Sequence, residues 1–255
     1  MDKQEAGKLL WESSLQGRYY PYALQGRLTL EQAYPVQLDV LGRNLEAGQV
    51  QAGWKIGLTA DAVRAHFKSK TAVHGYLLAG NGARDGKAFD FDQVISPSIE
   101  AELCFRLRKD LHGPGVSART ALDAVENIFP AFEILERRGD MAADLPLGVA
   151  DNISQWAYVL GKPPKPFPKS IDLGGVKMEL LRNGEVAASG TGRDVIDNQL
   201  ESLAWLANRL TTLGKSLEAG QIVLTGSFNR PLPINKGDRW EASFSGIGAV
   251  SCSFT

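Results

Sequence analysis

The texture of this chain changes once along its length, and that change limits its fold more than any other feature. Up to Gly48 the pattern is helical, with Leu9, Leu10 and Ser13 on one face of a first segment and a capping box, Thr29-Leu30-Glu31-Gln32, opening a second. Pro35 falls in or near the first turns of that second helix, where proline is best tolerated. Beyond Gly48 the chain turns to short extended runs broken by glycine. Gln51 to Leu58 reads as a strand, Thr59 as the cap of a short helix through Phe67, and Ile99 to Arg108 alternates strictly between apolar and polar residues. Ser117 caps an expected helix to Ile128, and Phe129 to Arg137 returns to a strand pattern. Four prolines within residues 161–168 forbid helix and central strand, so this segment is expected as a surface loop. Val176 to Leu181 and Glu185 to Ala188 flank Asn183-Gly184, the signal of a type I′ hairpin. Leu203, Leu206, Ala207, Leu210 and Leu213 form a helical stripe that stops at Gly214. The C-terminal stretch, with glycines at 237, 246 and 248, reads as short strands. Helices gather early and strands later, with no regular alternation of the two. The expectation is an α+β fold with a mixed or rolled sheet and helices mainly in the N-terminal part, residues 1–50 forming a helical segment ahead of 51–255.

The 255 residues suffice for a sizeable core, and 44% hydrophobic with 22% charged residues excludes a disordered chain or a coiled-coil rod. Lys and Arg number 28 against 29 Asp and Glu, a net charge of −1 that offers no field to nucleic acid. No membrane span is expected, and a mixed-charge N-terminus without an apolar stretch behind it points to a cytoplasmic protein. Cys104 and Cys252 make no metal or redox spacing. Gly214-Lys215-Ser216 lacks the preceding glycine of a phosphate loop, because Arg209 stands there, and Gly190-Thr191-Gly192 lacks the third glycine of a dinucleotide fingerprint, because Val195 does. His66, His74 and His112 are too scattered for a zinc site.

The chemistry concentrates in Ile99-Glu100-Ala101-Glu102. On a strand, Ile99, Ala101, Leu103 and Phe105 face one way while Glu100 and Glu102 face the other, roughly 7 Å apart. Two readings fit: carboxylates converging on a hard divalent cation, or the solvent face of an amphipathic strand. Glu133, inside the apolar run Ala131-Phe132-Glu133-Ile134-Leu135, is either a third ligand or a salt-bridged edge residue. Lys55 shares a face with Gly53 and Gly57, two residues without side chains. It stands in a hollow fit for an anion or carbonyl, or it is a surface lysine on an edge strand.

At these residues the sequence resembles the fumarylacetoacetate hydrolase superfamily, in particular its 2-keto-4-pentenoate hydratase and 4-oxalocrotonate decarboxylase group. The resemblance runs from about residue 35 to the C-terminus and rests on seven motifs in order. They are Gly53-Trp54-Lys55-Ile56-Gly57-Leu58-Thr59, Ile99-Glu100-Ala101-Glu102, Ala131-Phe132-Glu133-Ile134, Ala150-Asp151-Asn152-Ile153-Ser154, Gly190-Thr191-Gly192, Ser202-Leu203-Ala204-Trp205-Leu206-Ala207-Asn208, and Leu224-Thr225-Gly226-Ser227. It implies a β-roll catalytic domain over 51–255 and Mg²⁺ or Mn²⁺ held by Glu100, Glu102 and Glu133. It further implies that Lys55 and Ser154 bind or polarise a short 2-oxo acid, with Gly57, Leu58, Asp151 and Thr225 also lining the substrate. The family usually carries an aspartate where Val73 stands here; His74 beside it is either a substitute proton carrier or a bystander. The resemblance implies a metal-dependent lyase of aromatic catabolism, first of all one that hydrates a 2-hydroxypenta-2,4-dienoate to a 4-hydroxy-2-oxo acid. Decarboxylation of a 4-oxalocrotonate-type substrate, acylpyruvate-type C–C hydrolysis and a non-catalytic partner subunit are the alternatives. A homo-oligomer, or a complex with a related hydratase or decarboxylase, is also implied.

Overall fold

The computed structural model describes residues 2–165, 170–196 and 198–255. The chain opens with α1 (Lys3–Leu15) and α2 (Leu30–Glu46). The capping box at Thr29 forms as expected: its hydroxyl accepts from Gln32 N at 3.3 Å, and Gln32 Oε1 accepts from Thr29 N at 2.9 Å. Seven strands follow: β1 (Gln51–Gly57), β2 (Val73–Leu78), β3 (Gly82–Arg84), β4 (Lys87–Phe89), β5 (Pro97–Leu107), β6 (Val125–Glu136) and β7 (Gln155–Leu160). Among them lie α3 (Asp61–His66), α4 (Ala118–Ala124) and α5 (Leu145–Ala150). The second half contributes β8 (Lys177–Arg182), β9 (Glu185–Thr191), α6 (Gly192–Val195), α7 (Gln199–Thr211), β10 (Ile222–Ser227), β11 (Leu232–Pro233), β12 (Arg239–Phe244) and β13 (Gly248–Phe254).

Two sheets result. The larger has eight strands in the order β2-β1-β10-β5-β6-β7-β3, with β11 also pairing β5; the smaller runs β4-β13-β12-β8-β9. The larger is mixed, since β1 runs parallel to β10 and β3 to β7 while the other pairs are antiparallel. The α+β expectation with mixed sheets is therefore met. Ile99, Ala101, Leu103 and Phe105 of β5 and Phe132 and Ile134 of β6 are buried in one apolar core with Trp240, Phe244 and Phe254 of the small sheet and Leu203, Leu206 and Leu210 of α7. A second apolar cluster joins α1, α2 and α5 with Leu58, Val73 and Ile153.

Several expected bounds shift. The helix begun at Ser117 ends at Ala124 instead of Ile128, because Val125 already pairs with Leu107 and Ile128 with Phe105; long-range pairing of β-branched residues with an eleven-residue strand outweighs local helix preference. Thr59 does not cap the helix over 61–66. Ala60 holds that position without a side-chain hydrogen bond. Asn183-Gly184 makes the expected turn with φ of 55° and 88°, and Gly214 takes φ +68° just beyond α7. Residues 161–165 carry no helix or strand, whereas the end of that proline segment, 166–168, lies outside the described residues. Among the described residues no helix is long and apolar enough to cross a membrane.

Gly53 secures the junction of β1 and β10: at φ +156° its backbone packs so closely on Ile222 that an added Cβ would lie 1.9 Å from Ile222 O. Gly53→Ala is expected to cost about 3 kcal/mol or more in urea denaturation, at the upper end for one substitution. A loss no larger than that of an ordinary surface change would show that this seam opens freely.

Candidate active site

Register places the site. Lys55 pairs with Leu224, Leu224 with Cys104, Glu102 with Ala131 and Glu100 with Glu133. Because side chains alternate along a strand, Lys55, Glu100, Glu102 and Glu133 all stand on the face of the large sheet opposite the main core. Glu100, Glu102 and Glu133 bring one carboxylate oxygen each to within 4.8 Å of one another. Lys55 Nζ lies 2.7 Å from Glu133 Oε1 and donates to Ile153 O at 3.1 Å. Glu102 Oε2 accepts from Gly226 N at 2.9 Å. Glu102, Glu133 and Lys55 are at most 2% exposed, and half-buried Glu100 forms the open side.

Burial dominates the electrostatics of this group. It pushes the Glu100 carboxyl up to about 8, the charge of Glu133 adding to it and Lys55 opposing. It also raises Glu102 well above the usual carboxylate range, reinforced by Glu133 and Glu100 and countered by the Gly226 N–H and by Lys55. Glu133 is raised by burial and drawn back by Lys55. One ammonium does not balance three carboxylates, whereas three carboxylates, one ammonium and a divalent cation are together neutral. The donors are all hard oxygens, which fit Mg²⁺ or Mn²⁺ and not a soft-ligand metal. The residues present thus fit a hard divalent ion.

The other expected site residues fall in different places. Ser154 is the half-buried last residue of a turn, Asn152–Ser154, whose Ile153 carbonyl holds Lys55. All three residues of the turn have positive φ (61°, 52° and 57°), a conformation that costs a non-glycine residue roughly 1–3 kcal/mol. Gly57 shares the face of Lys55, and a Cβ on it would touch Val73 at 3.5 Å and Ile153 at 3.7 Å. Leu58, at φ 56°, packs into the N-terminal apolar cluster while its carbonyl accepts from Arg64 at 3.2 Å. Thr225 is fully buried and donates to Leu103 O at 2.9 Å, fastening β10 to β5 where their register shifts and Gly226 N reaches Glu102. Asp151 is committed to Arg138 at 2.7 Å; burial pushes its carboxyl up to about 6 against the pull of that guanidinium.

His74 is not brought to the site. It pairs with Ile56, so it faces away from Lys55, stacked on Tyr34 at 4.4 Å and set edge-on to Trp54 at 5.7 Å. Burial, with the charge of Arg209 adding, pushes its imidazole down to about 3, so it stays neutral at physiological pH. Val73 does stand on the face of Lys55, but in the apolar cluster with Leu58 and Ile153. The Ile153 carbonyl, Asn152, Arg138 and the Gly226 N–H belong to this site without being evident as candidates in the sequence. The only signal for them was their place inside two of the quoted motifs, and Arg138 had none.

Fold and site together define an α+β protein with three converging carboxylates, whose chemistry fits a hard divalent cation, on one face of a mixed sheet beside a lysine. The chain belongs to the fumarylacetoacetate hydrolase family: residues 81–255 match the model described as fumarylacetoacetate (FAA) hydrolase C-terminal. It is 35% identical over 235 residues to the 2-oxo-hept-4-ene-1,7-dioate hydratase of Escherichia coli, covering 89% of this chain and 87% of that protein. Identity to the 2-hydroxyhexa-2,4-dienoate hydratase of Comamonas testosteroni is 36% over 231 residues, with the same coverage of both. The 4-oxalocrotonate decarboxylase of Pseudomonas putida is 32% identical over 228 residues, covering 89% and 86%. In structure the chain is similar to 4-oxalocrotonate decarboxylase from Pseudomonas putida G7 complexed with magnesium and adipate, at a TM-score of 0.92 and 28% identity over 99% of this chain and 97% of that one. The resemblance drawn from the seven motifs is thereby borne out.

Lys55→Met removes the ammonium that touches Glu133. Leaving buried carboxylates without that partner is expected to cost about 3 kcal/mol or more in metal-free urea denaturation. Saturating Mn²⁺ should restore more stability to this variant than it adds to the wild type. Indifference of both proteins to Mn²⁺ would show that the carboxylates hold no cation.

Proposed function

We propose that this chain is a divalent-metal-dependent lyase that hydrates a short 2-hydroxy-2,4-dienoate to a 4-hydroxy-2-oxo acid. The observation that carries this reading is Lys55, an ammonium set beside three converging carboxylates with one donor to spare. An ammonium has three N–H groups. Glu133 and the Ile153 carbonyl take two, leaving the third for a substrate oxygen. Glu100, Glu102 and Glu133 would hold Mg²⁺ or Mn²⁺, which supplies Lewis-acid polarisation of a 2-oxo acid head group when bound. Lys55 donates to the 2-oxygen of the substrate and stabilises the negative charge that grows there as the dienol becomes an enone. Ser154, next to the carbonyl that orients Lys55, presents its hydroxyl to the substrate carboxylate. A proton goes to C5 as the enone forms; water then adds its oxygen at C4 and a proton at C3, so the atoms balance. The hydratases among its relatives support this assignment.

A second reading, loss of CO₂ from a 4-oxalocrotonate-type substrate, is favoured by one observation. Val73 gives β2 an apolar side chain on the face of Lys55, and decarboxylation needs charge stabilisation without activation of a water.

Purified protein with Mg²⁺ is expected to bleach the ultraviolet absorbance of 2-hydroxypenta-2,4-dienoate, and EDTA to stop it. Glu102→Gln should abolish the metal dependence, and Lys55→Ala should lower kcat on the order of 10²- to 10³-fold with an unchanged circular dichroism spectrum. CO₂ release from 4-oxalocrotonate without turnover of the dienoate would select the second reading. Turnover of neither would overturn both.

A further inference from the structure

Three successive non-glycine residues in the left-handed region persist only where the surroundings over-determine them, and Ile153 is β-branched, which makes that conformation still less favourable. The turn Asn152–Ser154 is restrained at Asn152, at Ile153 and at the residue just ahead of it. Arg138 holds Asp151 just ahead of it through both side chain and carbonyl, and Lys55 holds the Ile153 carbonyl. Asn152 makes the most direct attachment: its Oδ1 accepts from Tyr76 N at 2.7 Å and its Nδ2 donates to Tyr76 O at 3.0 Å. β2 is the edge of the large sheet, so the carboxamide occupies the free side of that strand as the peptide group of a neighbouring strand would. Gly75 permits the approach, since a Cβ there would lie 2.6 Å from Asn152 Oδ1. Gly75 is also the partner of Lys55 across β1 and β2. The clamp therefore ties the turn to the backbone directly beside the lysine.

We infer that Asn152 is a positioning residue: by pairing with the edge of β2 it holds the left-handed turn that sets the Ile153 carbonyl against Lys55 and Ser154 beside the substrate. This rests on the roles proposed above for Lys55 and Ser154. Without the clamp the turn relaxes, Lys55 keeps only Glu133, and its third N–H loses its direction.

Asn152→Ala and Gly75→Ala disturb the clamp from its two sides. Asn208→Ala is the control, because Asn208 makes the same pair of bonds to Val116 N and O, at 2.9 Å each, between α7 and a loop away from the site. Crystal structures of the two clamp variants are expected to show residues 152–154 out of the left-handed region and Ile153 O beyond hydrogen-bonding reach of Lys55. In calorimetry, Mn²⁺ affinity should be unchanged while oxalate affinity for the Mn²⁺-loaded protein falls about tenfold, the scale of one lost hydrogen bond to a charged group. Dienoate turnover should fall on the order of 10²-fold in kcat, more than KM rises. Asn208→Ala should lower Tm and retain both kcat and oxalate affinity. An unaltered turn in the variant structures overturns the inference, as does a loss of kcat and oxalate affinity no greater than in the control. A wild-type protein that turns over neither substrate refutes the proposed function, while the turn geometry in the variants still decides the role of Asn152.

Discussion

The ion pair between Lys55 and Glu133 is the contact on which the rest of the site depends. Their strands are not neighbours: β10 and β5 lie between β1 and β6. On a flat sheet with strands about 4.8 Å apart, the two backbones would stand roughly 14 Å from each other, and side chains that project up from the sheet face do not close such a gap. A 2.7 Å contact therefore requires the sheet to curl toward this face. The register shifts in the β1–β2 and β10–β5 pairings supply bends, since a bulge increases local twist and curvature. Gly53 lets β1 sit tightly on Ile222 within the same curl. A buried pair repays its desolvation only when additional hydrogen bonds complete it, and the Ile153 carbonyl and the Gly226 N–H provide them to Lys55 and to the neighbouring Glu102.

The two faces of β5 and β6 carry opposite burdens. One face packs Ile99, Ala101, Leu103 and Phe132 into the main core, and the other carries Glu100, Glu102 and Glu133. Because the side-chain period is two, a slip of one residue would bury the carboxylates among the core residues and turn the apolar set outward. The core thus enforces the register on which the convergence of the three carboxylates relies. Thr225 and Asn229 add to this, the first bonding Leu103 O and the second the backbone of Ile99 and Ala101, so that β5 is pinned on both sides of Glu100 and Glu102.

What the sequence disclosed follows the range of the interactions involved. The acids at 100 and 102 were legible as one face of a strand because alternation is local, and Asn183-Gly184 was legible because a type I′ turn is specified by two residues. Position 125 was not: Val125 leaves the helix for a pairing with Leu107, a partner eighteen residues earlier in the chain. Thr59 carries the residue type of a helix cap, yet its hydroxyl packs against Gly226. Asp151 reads as a candidate substrate ligand until its distance to Arg138 is known. The left-handed turn was invisible because Asn152-Ile153-Ser154 contains no glycine, and its conformation is imposed from outside by Tyr76, Arg138 and Lys55.

The orientation of β2 bears on what chemistry the site can perform. Pairing of Lys55 with Gly75 and of Gly57 with Val73 sets an absent side chain and an apolar one on the lysine side, while His74 faces the aromatic pocket of Tyr34, Trp54 and Trp205. Strand β2, one of the two that flank Lys55, therefore sets no group that exchanges a proton on the lysine side, and its histidine is held neutral by burial. Stabilising charge on a substrate oxygen asks only for fixed positive charge, which Lys55 and a cation held by the three carboxylates would supply in the proposed function without moving a proton. Activating a water at the far double bond asks in addition for an acceptor on that side of the substrate. In the proposed function the choice between hydration and decarboxylation would therefore turn less on the three carboxylates, which suit both, than on what stands opposite the apolar wall formed by Val73.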